Sequence, residues 1–294
     1  MAERFTACMT RRRSFKETKN AYGTLYLVAT PIGNLSEITP RAKETLASVD
    51  LIACEDTRVT ATLMHHLDLK KPLLACHEHN EITVGKTLVD KLQSGQHVAY
   101  VSDAGYPGIS DPGQRLVQLA LEAGIAVVVI SGPSAILNAL VASGLDTSRF
   151  YFHGFLQAKE AARLDEIKEL YRREETLIFY ESPHRIMDTL MNLYQALGNR
   201  KACLARELTK LHEEYIDGTL QELTELDPKT LKGEIVIIVE GNRDELGIKL
   251  SDDEIRKLVA SMTATGISMK DAIRQVADMT KIGKNYIYKV IHQN

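Results

Sequence analysis

The stretch Thr24-Leu25-Tyr26-Leu27-Val28-Ala29-Thr30-Pro31-Ile32-Gly33-Asn34-Leu35 runs from a block of large apolar residues directly into a proline and glycine turn. A short apolar run closed by turn residues reads as a strand buried on both faces. The same unit recurs at 50–54, 72–76, 97–102 and 126–130. Between these runs, 39–48, 57–67, 81–93 and 114–123 carry apolar residues three and four apart, the period of a helix. Asp111-Pro112 places a proline near the start of the last of them. Strand and helix in alternation predict an α/β fold with a mainly parallel sheet.

Working outward, 133–142 continues as a helix and the pattern breaks at 143–148, so a domain boundary is expected near 145. The second half opens with Tyr151-Phe152-His153-Gly154-Phe155. It goes on to a charged helix at 158–173, strands at 176–180, 201–205, 214–217 and 234–240, and a helix at 183–197. Its last strand has hairpin-like neighbours, which predicts a mixed sheet. From Ser251 the pattern is helical alone. Ser251 with Glu254, and Ser268 with Asp271, have capping-box spacing ahead of apolar helical faces, and a third helix carries Tyr286, Ile287, Val290 and Ile291. The connector with Lys281, Gly283 and Lys284 fits a helix-turn-helix. The expected organisation is a basic extension (1–22), an N-terminal α/β domain (23–145), a C-terminal α/β domain (146–245) and a helical tail (251–294).

The 294 residues are 44% hydrophobic and 26% charged, which excludes disorder as the main state. The longest apolar candidate, 116–130, is broken by Gln118, Glu122 and Gly124, short of the roughly 18 residues of a membrane helix. A soluble protein is expected, and the N-terminus lacks the continuous apolar core of a secretory signal. Cys8, Cys54, Cys76 and Cys203 form no C-x-x-C pair, which fits reduced thiols in a cytoplasm and no metal site. The net charge of -3 divides unevenly: 1–22 carries +4, 255–294 carries +5, and the body between carries -12. Two basic ends on an acidic body suggest anion-binding appendages; solvated surface charge is the plainer account.

No G-x-G-x-x-G follows the first strand, and P-loop, nucleophile-elbow and H-E-x-x-H motifs are absent. Three turn clusters instead fall at strand ends: 30–35, 102–113 and 131–135. Each alone is an ordinary turn. Together, at the carboxyl edge of one sheet, they predict a ligand cleft. Polar clusters also end strands: Glu55-Asp56-Thr57-Arg58, Glu181-Ser182-Pro183-His184-Arg185 and Arg206-Glu207 through Glu213. These are candidates for acid/base work or phosphate binding, with a salt-bridge network as the alternative. His65 and His66 read as surface residues. His77 and His79 are weaker candidates than His184, which has an adjacent Arg.

The stretches V-A-T-P-I-G-N-L (28–35), A-C-E-D-T-R (53–58), V-S-D-A-G-Y-P-G-I-S-D-P-G (101–113), S-G-P-S-A (131–135), F-H-G-F (152–155), F-Y-E-S-P-H-R (179–185) and A-R-E-L-T-K-L-H-E (205–213) resemble the small-subunit ribosomal RNA methyltransferases of the tetrapyrrole (corrin/porphyrin) methylase superfamily. The resemblance spans 23–241 and reaches the helical tail; 1–22 lies outside it. It implies two α/β domains with an S-adenosylmethionine cleft between them, a homodimer, and 2'-O-methylation of a cytidine ribose in the decoding region of 16S rRNA on the small ribosomal subunit. No metal is implied. The superfamily's G-D-P loop is replaced here by Ser102-Asp103-Ala104, which keeps only the acid. By this resemblance the cofactor is held by Pro31, Asp103, Ser134 and Ala135, with weaker matches at Tyr180, Glu181, Glu207 and Glu234.

Transfer to a ribose hydroxyl needs alignment and a proton acceptor. Glu55, Asp56, Glu181 and His184 are the candidate acceptors, with Arg58 and Arg185 as phosphate-holding forks. The basic tail is expected to dock RNA backbone, with dimer packing as the alternative. A tetrapyrrole methylase and a nucleic-acid-binding regulator without turnover are the rival readings.

Overall fold

The computed structural model describes residues 22–243, 250–280 and 282–292. The expected basic extension, apart from its last residue Tyr22, and Lys281 lie outside the described residues. The described chain separates into two compact units, one ending at Glu240 and one beginning at Gly241.

In the first unit, β1 (Thr24–Val28), β2 (Leu51–Cys54), β3 (Leu73–Ala75), β4 (Val98–Val101) and β5 (Ala126–Ile130) form a parallel sheet in the order β3-β2-β4-β1-β5. The central strands β2 and β4 are buried along their whole length, as their unbroken apolar runs predict. Helices α1 (Pro40–Ser48), α2 (Thr57–His66), α3 (Glu81–Gln93), α4 (Gln114–Glu122) and α5 (Ala135–Ala142) connect and follow the strands. Thr39 caps α1 by accepting from the Ala42 amide at 3.1 Å, with Pro40 in the first turn, where its missing N–H costs nothing. Pro112 does not begin α4. Gly113 stands between them at φ +134, and its Cβ would lie 2.9 Å from the Tyr100 ring.

The second sheet holds β6 (Phe150–Phe155), β7 (Thr176–Glu181), β8 (Lys201–Arg206), β9 (Glu214–Thr219) and β10 (Ile235–Val239) in the order β6-β7-β10-β8-β9. It is mixed, as expected: β6 and β7 are parallel and the remaining pairs antiparallel. The hairpin is β8–β9, whereas β10 inserts between β7 and β8, and its five residues are all buried. Around it lie α6 (Glu160–Glu169), α7 (Ile186–Leu197) and the short α8 (Leu220–Leu223), which the sequence pattern did not show. Both longer helices are shorter than their apolar periods suggested. At α7, residues 182–185 instead form a turn closed by the Arg185 amide on the Ser182 carbonyl at 3.1 Å.

One face of the second sheet is covered by α6, α7 and α8 through Ile167, Leu190, Leu193 and Leu220. The other face carries Ile178, Cys203, Val236 and Ile238, which pack with Ile32, Ala139 and Leu140 of the first half. This shared cluster brings the carboxyl edge of the parallel sheet against β7 and β10. Gly33 adds a close approach, since a Cβ there would stand 2.5 Å from Lys210 Cγ.

The second unit contains α9 (Asp252–Ala264), α10 (Met269–Thr280) and α11 (Lys284–His292) around a core of Ile255, Val259, Ala272, Val276, Ile287 and Val290. The capping box of Ser251 and Glu254 is formed on α9. Ser268 accepts from the Asp271 amide at 3.2 Å at the start of α10. Tyr286, expected on the apolar face of α11, is exposed and donates to Asp252 Oδ1 at 3.0 Å.

Candidate active site

The three turn clusters converge. Thr30 and Gly105 exchange backbone hydrogen bonds of 2.9 and 3.1 Å, and Thr30 Oγ1 donates to the Ser102 carbonyl at 3.3 Å. Gly132 donates its amide to Tyr106 Oη at 3.1 Å, tying the third cluster to the second. A buried carboxylate fixes the far end of the second: Glu81, the first residue of α3, accepts from the Gly113 and Leu116 amides at 3.0 Å each. It thereby satisfies two otherwise unpaired donors at the start of α4.

These loops and the ends of β7 and β10 enclose a cleft of about 440 Å³, within the roughly 300–1,000 Å³ of small-molecule sites. Of the expected residues, Glu55, Asp103, Ser134, Ala135, Tyr180, Glu181 and Glu234 line it. Pro31, Asp56, Arg58, His184, Arg185 and Glu207 are not among its lining residues. Pro31 is buried beside Ile32, which does line it. The sequence reading placed Ile109 and Asp111 only within a turn cluster expected at the cleft, without singling out their side chains, and it did not single out Phe155.

Glu55 and Asp56 end β2 with opposite environments. Burial, then the Asp103 charge, raises the Glu55 carboxyl above its ordinary value. Asp56 caps α2 by accepting from the Arg58 amide at 2.8 Å, and its bonds to the Arg58 side chain hold it down to about 2. The Arg58 side chain is 89% exposed. Asp103 is raised by burial and by Asp56, while accepting from the Asp56 amide at 3.2 Å. Asp111 is pushed up to about 6, first by burial and then by Glu55 and Asp103. Tyr180 is pushed up to about 12 by burial.

Glu181 is 2% exposed, and its oxygens are committed: Oε1 accepts from the Ser182 amide at 2.8 Å, and Oε2 from Thr189 Oγ1 at 2.6 Å. Arg185 pairs with Glu181 at 3.3 Å and donates to the Leu156 and Gln157 carbonyls at 2.8 and 3.1 Å. This constellation is a brace between the loops after β6 and β7. His184 is exposed outside the cleft. Glu207, at φ +52, is lowered chiefly by the Lys210 ammonium it bonds, and Lys210 also reaches Glu234.

Five carboxylates and no basic side chain line the cleft among the described residues. Such a lining suits a ligand that bears positive charge and hydroxyl groups, and it repels a polyanion. The start of α5 also opens on the cleft at Ser134, whose side chain makes no capping bond, and a helix start accepts a ligand carboxylate. A sulfonium amino acid joined to a ribose matches both ends. The described residues contain no group of His, Cys, Asp and Glu suited to a metal ion.

Residues 24–224 match the family of Tetrapyrrole (Corrin/Porphyrin) Methylases. The uroporphyrin-III C-methyl transferase of Thermus thermophilus, complexed with S-adenyl homocysteine, superposes with a TM-score of 0.54 at 20% identity, over 74% of this chain and 97% of that one. The fold is therefore that of a methylase of this class.

The ribosomal RNA small subunit methyltransferase I of Halalkalibacterium halodurans is 47% identical over 279 residues, 92% of this chain and 95% of its own. That of Bacillus subtilis is 39% identical over 292 residues, 97% of this chain and 99% of its own. The chain belongs to the ribosomal RNA small subunit methyltransferase I family, within the tetrapyrrole methylases, and is an S-adenosylmethionine-dependent methyltransferase.

Proposed function

We propose that the chain methylates the 2'-oxygen of a cytidine ribose in the decoding region of 16S rRNA, on the small ribosomal subunit and hence in the cytoplasm. The observation that carries this reading is identity of 39% and 47% to relatives named for small-subunit rRNA methylation, over more than nine-tenths of the chain. Asp103, Ser134, Ala135, Tyr180 and Glu234 are the residues proposed to hold S-adenosylmethionine, with Pro31 and Glu207 supporting them from behind the lining.

Bound S-adenosylmethionine supplies an electrophilic methyl group. The chain's own part is to exclude water, orient the ribose hydroxyl and take its proton. Glu55 is the proposed acceptor, because it lines the cleft and burial with the Asp103 charge raises its proton affinity. Asp56 is held ionised by Arg58 away from the cleft lining, Glu181 is spent on the brace, and His184 stands outside. Of the two proposed phosphate forks, Arg58 reaches solvent, whereas Arg185 is bound inward.

A homodimer is proposed as well. Leu137 and Val141, one turn apart on α5, are 50% and 74% exposed and present an apolar face that a second copy would cover. Sedimentation of the protein as a monomer at micromolar concentration would remove that part of the reading. The main test offers small subunits, naked rRNA and a porphyrinogen to the enzyme in parallel with radiolabelled donor. Label in the subunits at a ribose supports the reading, and label in the porphyrinogen alone sinks it.

A further inference from the structure

Phe155, 55% exposed as a residue, closes β6 at the lining of the cleft. Its position is built. Side chains three apart on a regular strand point to opposite faces, yet Phe152 and Phe155 share one. The register shifts between Phe152 and Gly154, so that Phe152 pairs with Ile178, Gly154 with Phe179 and Phe155 with Tyr180. This bulge re-aims Phe155, as bulges beside functional sites do. Both rings then meet Tyr180, Phe152 at 5.0 Å and 69° and Phe155 at 5.5 Å and 57°. Gly154 makes the bend at φ +84, and the loop after β4 closes on it, with Ser110 Oγ at 3.3 Å from where a Cβ would stand.

The fold thus steadies a phenyl ring from one side and leaves much of it open at the cleft. An anionic phosphate is not drawn to a lining of carboxylates without a basic side chain. A nucleobase is neutral, flat and π-faced. A ribose inside an RNA helix cannot reach a deep cleft unless its nucleotide leaves the stack, and unstacked RNA bases are held on aromatic side chains. We propose that Phe155 is the platform on which the unstacked target base rests while its ribose faces Glu55, Asp103 and Asp111. The inference rests on the RNA-methylation reading above.

The test compares wild type with Phe155→Ala, Phe155→Leu and Phe155→Tyr in the full chain. The readouts are KM and kcat on small subunits, the calorimetric Kd for S-adenosylhomocysteine, and the melting temperature as a check on folding. Removing a base–aromatic stack should raise the KM of Phe155→Ala roughly ten- to hundredfold. The Tyr variant should stay near wild type and Leu should fall between, with cofactor-product binding unchanged in all three. An unchanged KM in Phe155→Ala overturns the proposal, as does full rescue by Leu, which shows that apolar bulk suffices. Weakened S-adenosylhomocysteine binding in a folded Phe155→Ala also overturns it, because the ring is then a wall of the cofactor site. If wild type transfers no label to subunits, the RNA reading itself fails and takes the inference with it.

Discussion

Glu55 faces the cleft from the end of β2, while Asp56, one residue on, turns outward to cap α2. Both are legible in the sequence as acids at a strand end; which of them turns inward is not, because side-chain alternation stops where the strand does. Glu55→Gln should lower kcat on small subunits by roughly a hundred- to ten-thousandfold while leaving S-adenosylhomocysteine affinity intact. Asp56→Asn keeps a good cap and should leave the rate near wild type. Equal losses in both variants would remove Glu55 from the chemistry.

Asp111 is silent in the sequence because its proton affinity comes from burial, from Glu55 at the end of another strand, and from the way its own loop folds Asp103 toward it. Its carboxyl stands at about 6 against an ordinary 3.8. Between those values the folded state binds more protons than the unfolded one, so stability falls as pH rises through the window. Asp111→Asn removes that burden and should raise the melting temperature at pH 7.5 by roughly 2–4 °C. At pH 5 the gain should be smaller. The same variant should bind S-adenosylmethionine more weakly, since a carboxylate facing a cationic ligand is removed. A gain equal at both pH values would show that Asp111 is not the titrating group.

At the scale of elements, the parallel sheet is readable because each of its strands is a local apolar run bounded by turns. The second sheet is readable only in part. The insertion of β10 between β7 and β8 is a non-local pairing that leaves no mark on the neighbouring residues. The bulge in β6 likewise shows only as a glycine. In the sequence Glu81 is simply the first residue of a helix, and nothing local tells that its carboxylate caps a different helix across the fold. Because Glu81 is 4% exposed and holds both the Gly113 and Leu116 amides, Glu81→Ala leaves buried donors unpaired. The expected cost is about 1.5–3 kcal/mol, read from the urea midpoint. S-adenosylhomocysteine binding should weaken too, because the loop carrying Asp103 and Asp111 loses its anchor. A variant with an unchanged midpoint would show that water replaces the cap.

For the whole molecule, the net charge of -3 conceals a division of labour. The acidic body carries a cleft lined by carboxylates, which favours a cationic cofactor and disfavours RNA phosphate. On the proposed function RNA affinity then comes from outside the cleft, and the helical unit is the part proposed to supply most of it. Lys257, Lys270, Lys284 and Lys289 are exposed there, as are Tyr286 and Tyr288, while the apolar residues of all three helices close a core of their own. Composition and capping signals make this unit legible in the sequence; the partner proposed for it rests on the family resemblance. Every lining residue of the cleft lies before Glu240, so deletion of 251–294 should leave the S-adenosylhomocysteine Kd unchanged. The KM for small subunits should rise, and the salt dependence of subunit binding should flatten by about 0.7–0.9 in log–log slope for each phosphate that the tail no longer neutralises. The slope separates two roles that KM alone would confuse. If the tail only packs a dimer, its removal shifts sedimentation and leaves the salt slope of the remaining binding as it was.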